Sequence, residues 1–133
     1  MLGEKIGEFT GKTVGVRIID AIAGKVETSA QENGKLLGIE GSTLVTYVAT
    51  MRPGGTMAGE GQGVFMTRDG EHASFFASGC GKPTGKGSAA TWRGSLVFST
   101  PSTKLARLNS VAVLFEYDID ENGNSQGRFW EWK

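Results

Sequence analysis

The sequence predicts an all-β chain folded as a single closed, antiparallel, up-and-down β-barrel of about eight strands. Three observations carry that expectation. Segments with two-residue periodicity recur along almost the whole of the 133 residues, as strands with one buried face require. Turn signals rich in Gly, Asn, Asp and Pro separate them, and such short connections make sequential strands antiparallel neighbours. The 21 glycines fall singly, inside strand patterns and at turns, where barrel strands coil and bend. The same strands would also allow a β-sandwich. No helical pattern is long enough for an α/β fold.

The elements follow in order. From about Lys5 to Ile19, Val14, Val16 and Ile18 alternate strictly and Gly11 and Gly15 offer bend points, so one long bent strand or two short ones are expected. Val26, Thr28 and Ala30 alternate next, and Glu32-Asn33-Gly34 reads as the turn that ends that strand, since Asn-Gly accepts positive φ. Lys35 to Glu40 returns. Thr43 to Met51 is rich in Thr, Val and Tyr, which suit a pleated, half-buried surface. Arg52-Pro53-Gly54-Gly55-Thr56 then turns the chain, Pro presetting φ and Gly tolerating the next angle. Met57 to Met66 sets Gly59, Gly61 and Gly63 on one face, which invites a ring or a neighbouring backbone to lie close.

Arg68-Asp69-Gly70 closes the next hairpin, and Glu71 to Cys80 sets Phe75 and Ala77 opposite His72, Phe76 and Ser78. A loop from Gly81 to Ser88 leads into Ala89 to Ser99. Thr100 to Asn109 breaks the alternation, and Leu105 and Leu108, after Ser102 and Thr103 as caps, predict one helical turn. Val111 to Asp120 resumes the two-residue period, Asp120-Glu121-Asn122-Gly123-Asn124 is a second Asn-Gly hairpin, and Ser125 to Trp132 ends the pattern.

Length and composition bound the function. A chain of 14.1 kDa suits one domain, residues 1–133, with its own core. Fourteen basic and fourteen acidic residues cancel, so no overall field draws the protein to nucleic acid or an anionic membrane. Cys80 has no second cysteine to pair with, which suits a reducing interior. The opening MLGEKIGEFTGK has no apolar core of signal-peptide length, and no stretch approaches the roughly 20 apolar residues of a spanning helix. A soluble cytoplasmic protein with no membrane partner is expected.

Motifs for specific chemistry fail on inspection. Gly81-Lys82-Pro83-Thr84-Gly85-Lys86-Gly87-Ser88 resembles a phosphate loop, but Cys80 holds the position of the first glycine and Gly87 that of the magnesium-binding hydroxyl. Gly59, Gly61 and Gly63 miss the dinucleotide fingerprint, because Val64 stands where its third glycine should. His72 is the only histidine, so no metal site is expected, and no cofactor either. Along its strand His72 reaches only Ser74, since residues four to eight apart are separated by roughly 13 to 26 Å.

Two groups remain as site candidates. Phe75, Trp92, Phe98, Phe115, Tyr117 and Trp130 form an alternating aromatic set that would fill or line a lumen. Glu60, Gln62, His72, Arg93 and Glu116 are polar residues for a polar site or a subunit contact. If the apolar set faces inward, parity sends Arg93 and Glu116 outside; the reverse would put a charged pair in the lumen and mark a functional site. Apolar residues on both faces, as with Leu44 and Val48 against Val45, Tyr47 and Met51, point to a homo-oligomer that buries part of the outer wall.

Tyr47 through Phe76, YVATMRPGGTMAGEGQGVFMTRDGEHASFF, with the later Gly79-Cys80-Gly81 and the return from Leu105 to Tyr117, resembles uncharacterised bacterial barrel proteins related in fold to plant allene oxide cyclase and the dirigent proteins. The resemblance implies an eight-stranded antiparallel barrel, often oligomeric, whose lumen holds a small apolar molecule. The cyclase's catalytic carboxylate has no matching position here. Its glycine-rich segment before Phe-Glu is replaced by Asn109-Ser110-Val111-Ala112-Val113-Leu114 ahead of Phe115-Glu116. The expectation is a non-catalytic oligomeric barrel that binds a small apolar ligand or serves as a scaffold. A cyclase or isomerase acting on a small apolar substrate in the lumen is the alternative.

Overall fold

The computed structural model describes residues 2–133. Eight strands follow one another: β1 (Leu2–Asp20), β2 (Lys25–Leu36), β3 (Ile39–Met51), β4 (Met57–Thr67), β5 (His72–Pro83), β6 (Ala90–Ser99), β7 (Ala112–Ile119) and β8 (Asn124–Trp132). Each pairs antiparallel with the next, and β8 pairs back onto β1, so the sheet closes into an up-and-down barrel. Closure leaves the main ladder without a free edge.

The first hairpin differs from the reading of Asn33-Gly34. Both residues lie inside β2, and the chain turns at Leu37-Gly38, where φ is 53° and 77°. Two successive positive φ values define the two-residue turn that matches strand twist. Gly34 serves close approach instead: a Cβ there would strike the Glu8 carbonyl and come 2.8 Å from Phe9 Cα. The glycine therefore lets β1 and β2 lie close beneath the Phe9 ring.

β1 is one strand, bent by irregularities between Thr13 and Gly15 and between Ile18 and Asp20 against β2, and again near Lys5 against β8. Its pairing with β8 stops at Lys12, whereas its pairing with β2 continues to Asp20. Residues beyond Lys12 thus overhang the barrel, which is why Val14, Val16 and Ile18 are exposed despite their regular alternation.

The predicted helical turn is a 3₁₀ helix, Ala106–Ser110, in the connection from β6 to β7. Leu105 and Leu108 are 0% exposed and stop one end of the barrel, packed with Ile6, Phe9, Leu36, Phe65, Phe98 and Val113. Burying each is worth about 1.5 to 3 kcal/mol. Polar side chains hold this plug in place. Asn109 accepts from the Thr100 amide (2.8 Å) and donates to its carbonyl (3.0 Å), while the Thr100 hydroxyl donates to the His72 carbonyl at 2.6 Å. A second, smaller cluster, Ala90, Trp92 and Ile119 with Tyr47, Phe115 and Tyr117 against it, lies apart from the plug.

Candidate functional site

Strand parity decides what enters the barrel. On β2 the inward set is Thr28, Ala30, Glu32, Gly34 and Leu36, and the first, second, third and last of these are buried outright. Glu32 lies between Gly11 of β1 and Thr43 of β3 in the ladder. It is a carboxylate 4% exposed, on the inner wall. Three hydroxyls donate to it: Thr43 to Oε1 at 3.0 Å, and Tyr117 and Ser125 to Oε2 at 2.7 and 2.6 Å. The donors come from β3, β7 and β8, so only the closed barrel brings them together.

Beside this group lies a cavity of about 70 Å³, lined by Glu32, Thr43 and Tyr47 together with Phe75, Trp92, Phe115, Tyr117 and Phe129. Glycines shape its wall. A Cβ on Gly59 would come 2.6 Å from Trp92, and one on Gly63 would overlap the Phe75 ring. The bare face of β4 is what lets these aromatic rings turn inward. Tyr47 stands edge-on to both Trp92 and Tyr117, with ring centroids 5.8 and 6.1 Å apart, an arrangement aromatic quadrupoles favour.

The two tyrosines share one electrostatic environment. Burial pushes the Tyr47 phenol up to about 12, the Thr28 hydroxyl partly offsets this, and the Glu32 charge adds to it. Tyr117 is driven higher still by burial, then by the Glu32 charge. Because the folded values lie above the ordinary value near 10, the folded state holds its phenolic protons longer than the unfolded one. Their contribution to stability is complete below pH ~10 and is lost as the pH rises towards about 12. These are the only tyrosines of the chain. A phenolate absorbance titration is therefore expected to show almost no ionisation at pH 10 in the folded protein, with the band appearing together with loss of far-ultraviolet dichroism. Half ionisation at pH 10 in folded protein would contradict the burial described.

The candidates read from sequence divide. Phe75, Trp92, Phe115 and Tyr117 line the cavity. Phe98 faces inward but packs at the plugged end, 5.7 Å from Phe75. Trp130 does not face the lumen: on β8, Ser125, Gly127 and Phe129 point in, and Trp130 lies on the outer wall opposite Leu114. The reason is parity. Tyr117 lies over Gly127, where a Cβ would sit 3.3 Å from its ring, and Phe129 takes the next inward position, so alternation leaves Trp130 and Trp132 on the outer face.

Arg93 and Glu116 stand outside, 3.8 Å apart, in a surface network with Asp118 and Arg128. Such exposed pairs are worth about 0 to 1 kcal/mol. Glu60 and Gln62 are exposed on β4; Glu60 belongs to the cavity's lining although its strand parity is outward. His72 is exposed at the start of β5. The reading from sequence missed Glu32, Thr43 and Ser125. The signal was present for Glu32, a lone carboxylate on a strand face otherwise made of Thr28, Ala30, Gly34 and Leu36. Among the described residues no three His, Cys, Asp or Glu side chains gather to hold a metal ion, and no helix is long and apolar enough to cross a membrane.

Fold and interior define a closed eight-stranded antiparallel barrel that encloses a buried carboxylate beside an aromatic cavity. Solved structures share this fold. The chain is similar to a β-barrel-like protein from Acinetobacter baumannii (TM-score 0.81, 12% identity, 100% of this chain and 96% of the other). It is also similar to a protein of unknown function from Clostridium acetobutylicum (TM-score 0.79, 15% identity, 98% of each chain). An enzyme from Penicillium herquei shares the fold at a TM-score of 0.66 and 16% identity, over 96% of this chain and 92% of that one. At these identities the likeness is one of fold. No protein-family model and no curated protein matches the chain by sequence.

Proposed function

We propose that this protein binds a small, mostly apolar molecule carrying one hydrogen-bonding group in its barrel. The observation that carries this is the cavity itself, walled by aromatic rings and provided with one hydrogen-bonded carboxylate. Apolar pockets with few, placed polar groups are the usual form of a small-molecule site. A cavity of about 70 Å³ takes a ligand of roughly five to seven non-hydrogen atoms, allowing about 10 to 15 Å³ for each water-sized group.

The copies are proposed to associate through the outer wall. Phe76, Val97, Ala112, Trp132 and Leu2 lie opposite one another in the ladder, one residue on each of β5, β6, β7, β8 and β1. All five are exposed, and a continuous apolar row of this kind marks an association surface. A cytoplasmic home fits the unpaired Cys80.

Ligand-observed magnetic resonance with phenol, cyclopentanol and cyclopentylammonium tests the lumen, and native mass spectrometry counts the copies. At least one compound is expected to bind the wild type. Ala77→Leu, which places a larger side chain in the lining, is expected to abolish that binding while the protein stays folded. Binding by none of the three, or equal binding by the variant, would overturn the reading.

A cyclase or isomerase reading has one observation in its favour: the Tyr117 hydroxyl donates to Glu32 inside the cavity, a pair able to move a proton at a confined substrate. The volume restricts such a substrate to a molecule as small as the ligands above.

A further inference from the structure

The groups that satisfy Glu32 leave its charge unanswered. All three donors, Thr43, Tyr117 and Ser125, are neutral hydroxyls. None of the ion pairs among the described residues includes Glu32. A buried carboxylate without a cation is costly, and proteins ordinarily supply one. The hydroxyls all donate, which suits the ionised, acceptor-only form. They use both positions on Oε2 and one on Oε1. A carboxylate offers about four, so one position on Oε1 remains.

We propose that the lumen is a site for a small organic ammonium ion, whose N–H donates to Oε1 of Glu32 and whose carbon frame packs on the aromatic wall. This rests on the lumen reading above and adds the charge of the ligand. Phe75, Trp92, Phe115 and Tyr117 supply apolar contact and rings whose faces attract cations. A metal ion does not fit, because among the described residues no three His, Cys, Asp or Glu side chains gather at Glu32. An anionic ligand would be repelled by the same carboxylate. A neutral alcohol could make the hydrogen bond but would leave the charge uncompensated, which gives the test its contrast.

Calorimetric titration of the wild-type protein at neutral pH with cyclopentylammonium and with cyclopentanol, which match in size, decides between them. The ammonium is expected to bind at least about tenfold more tightly, as a charge-assisted hydrogen bond to a buried partner requires. Glu32→Gln is expected to remove that preference while keeping cyclopentanol binding, and Glu116→Gln, on the outer wall, to leave it unchanged. Equal binding of the two compounds by the wild type, or a preference that survives in Glu32→Gln, would overturn the ammonium site and leave the lumen reading standing. Binding of neither would overturn the ammonium site, and binding of neither these two nor phenol would overturn the lumen reading as well. Should Glu32→Gln fail to fold, the wild-type ratio still decides.

Discussion

Phe9→Ala is expected to lower the free energy of unfolding by about 3 to 5 kcal/mol, the usual cost of emptying a buried aromatic site. Phe9 is 1% exposed, and its ring centroid lies 5.7 Å from those of Phe65 on β4 and Phe129 on β8. It also covers Gly34 of β2. One side chain therefore ties together strands from across the barrel. The surroundings cannot collapse into the gap, because the closed ladder holds the strands at fixed spacing. Urea denaturation measures this as a lower midpoint with an unchanged slope. A loss below about 1 kcal/mol would mean that the plugged end repacks, contrary to the tight core described.

The second large effect concerns Glu32. The double variant Tyr117→Phe with Ser125→Ala removes both donors to Oε2 and is expected to cost about 3 to 6 kcal/mol, taking ~1.5 to 3 for each hydrogen bond to a charged group. The loss comes from stranding a carboxylate that stays buried. Adding Glu32→Leu to the same background is therefore expected to return most of the stability, because an apolar side chain needs no donors. A double-mutant cycle measures the coupling. Additive losses, with no recovery from Glu32→Leu, would mean that the hydroxyls matter for packing alone.

The barrel was legible in the sequence because its signals are local. Arg52-Pro53-Gly54-Gly55-Thr56, Arg68-Asp69-Gly70 and Asp120-Glu121-Asn122-Gly123-Asn124 all turn where their residues say they should, with Gly54, Gly55, Gly70 and Gly123 at positive φ. Asn33-Gly34 misled for an instructive reason. The glycine that permits a turn is also the residue that admits a close neighbour, and only the approach of Phe9 and Glu8 distinguishes the two uses. Trp130 misled in another way. Alternation groups Trp130 with Trp132 without saying which face is inner, and on β8 the inward positions are Ser125, Gly127 and Phe129.

The candidate site was partly visible. Alternation grouped Phe75, Trp92, Phe115 and Tyr117 with their strand-mates, since parity along one strand is a property of that strand, but it did not say which face turns inward. Glu32 was hidden by its proximity to a misread turn, and its partners lie 11, 85 and 93 residues away in the chain.

By itself the sequence determined the strands, most of their turns, the antiparallel order and the helical turn carrying Leu105 and Leu108. Each depends on torsional preference and on periodicity within a few residues. The tertiary structure alone decided which face of each strand points inward, that β8 closes onto β1, and that three hydroxyls from three strands converge on one carboxylate beside a cavity. Those depend on ring closure and on competition for a small interior volume, and neither is a property of any single segment.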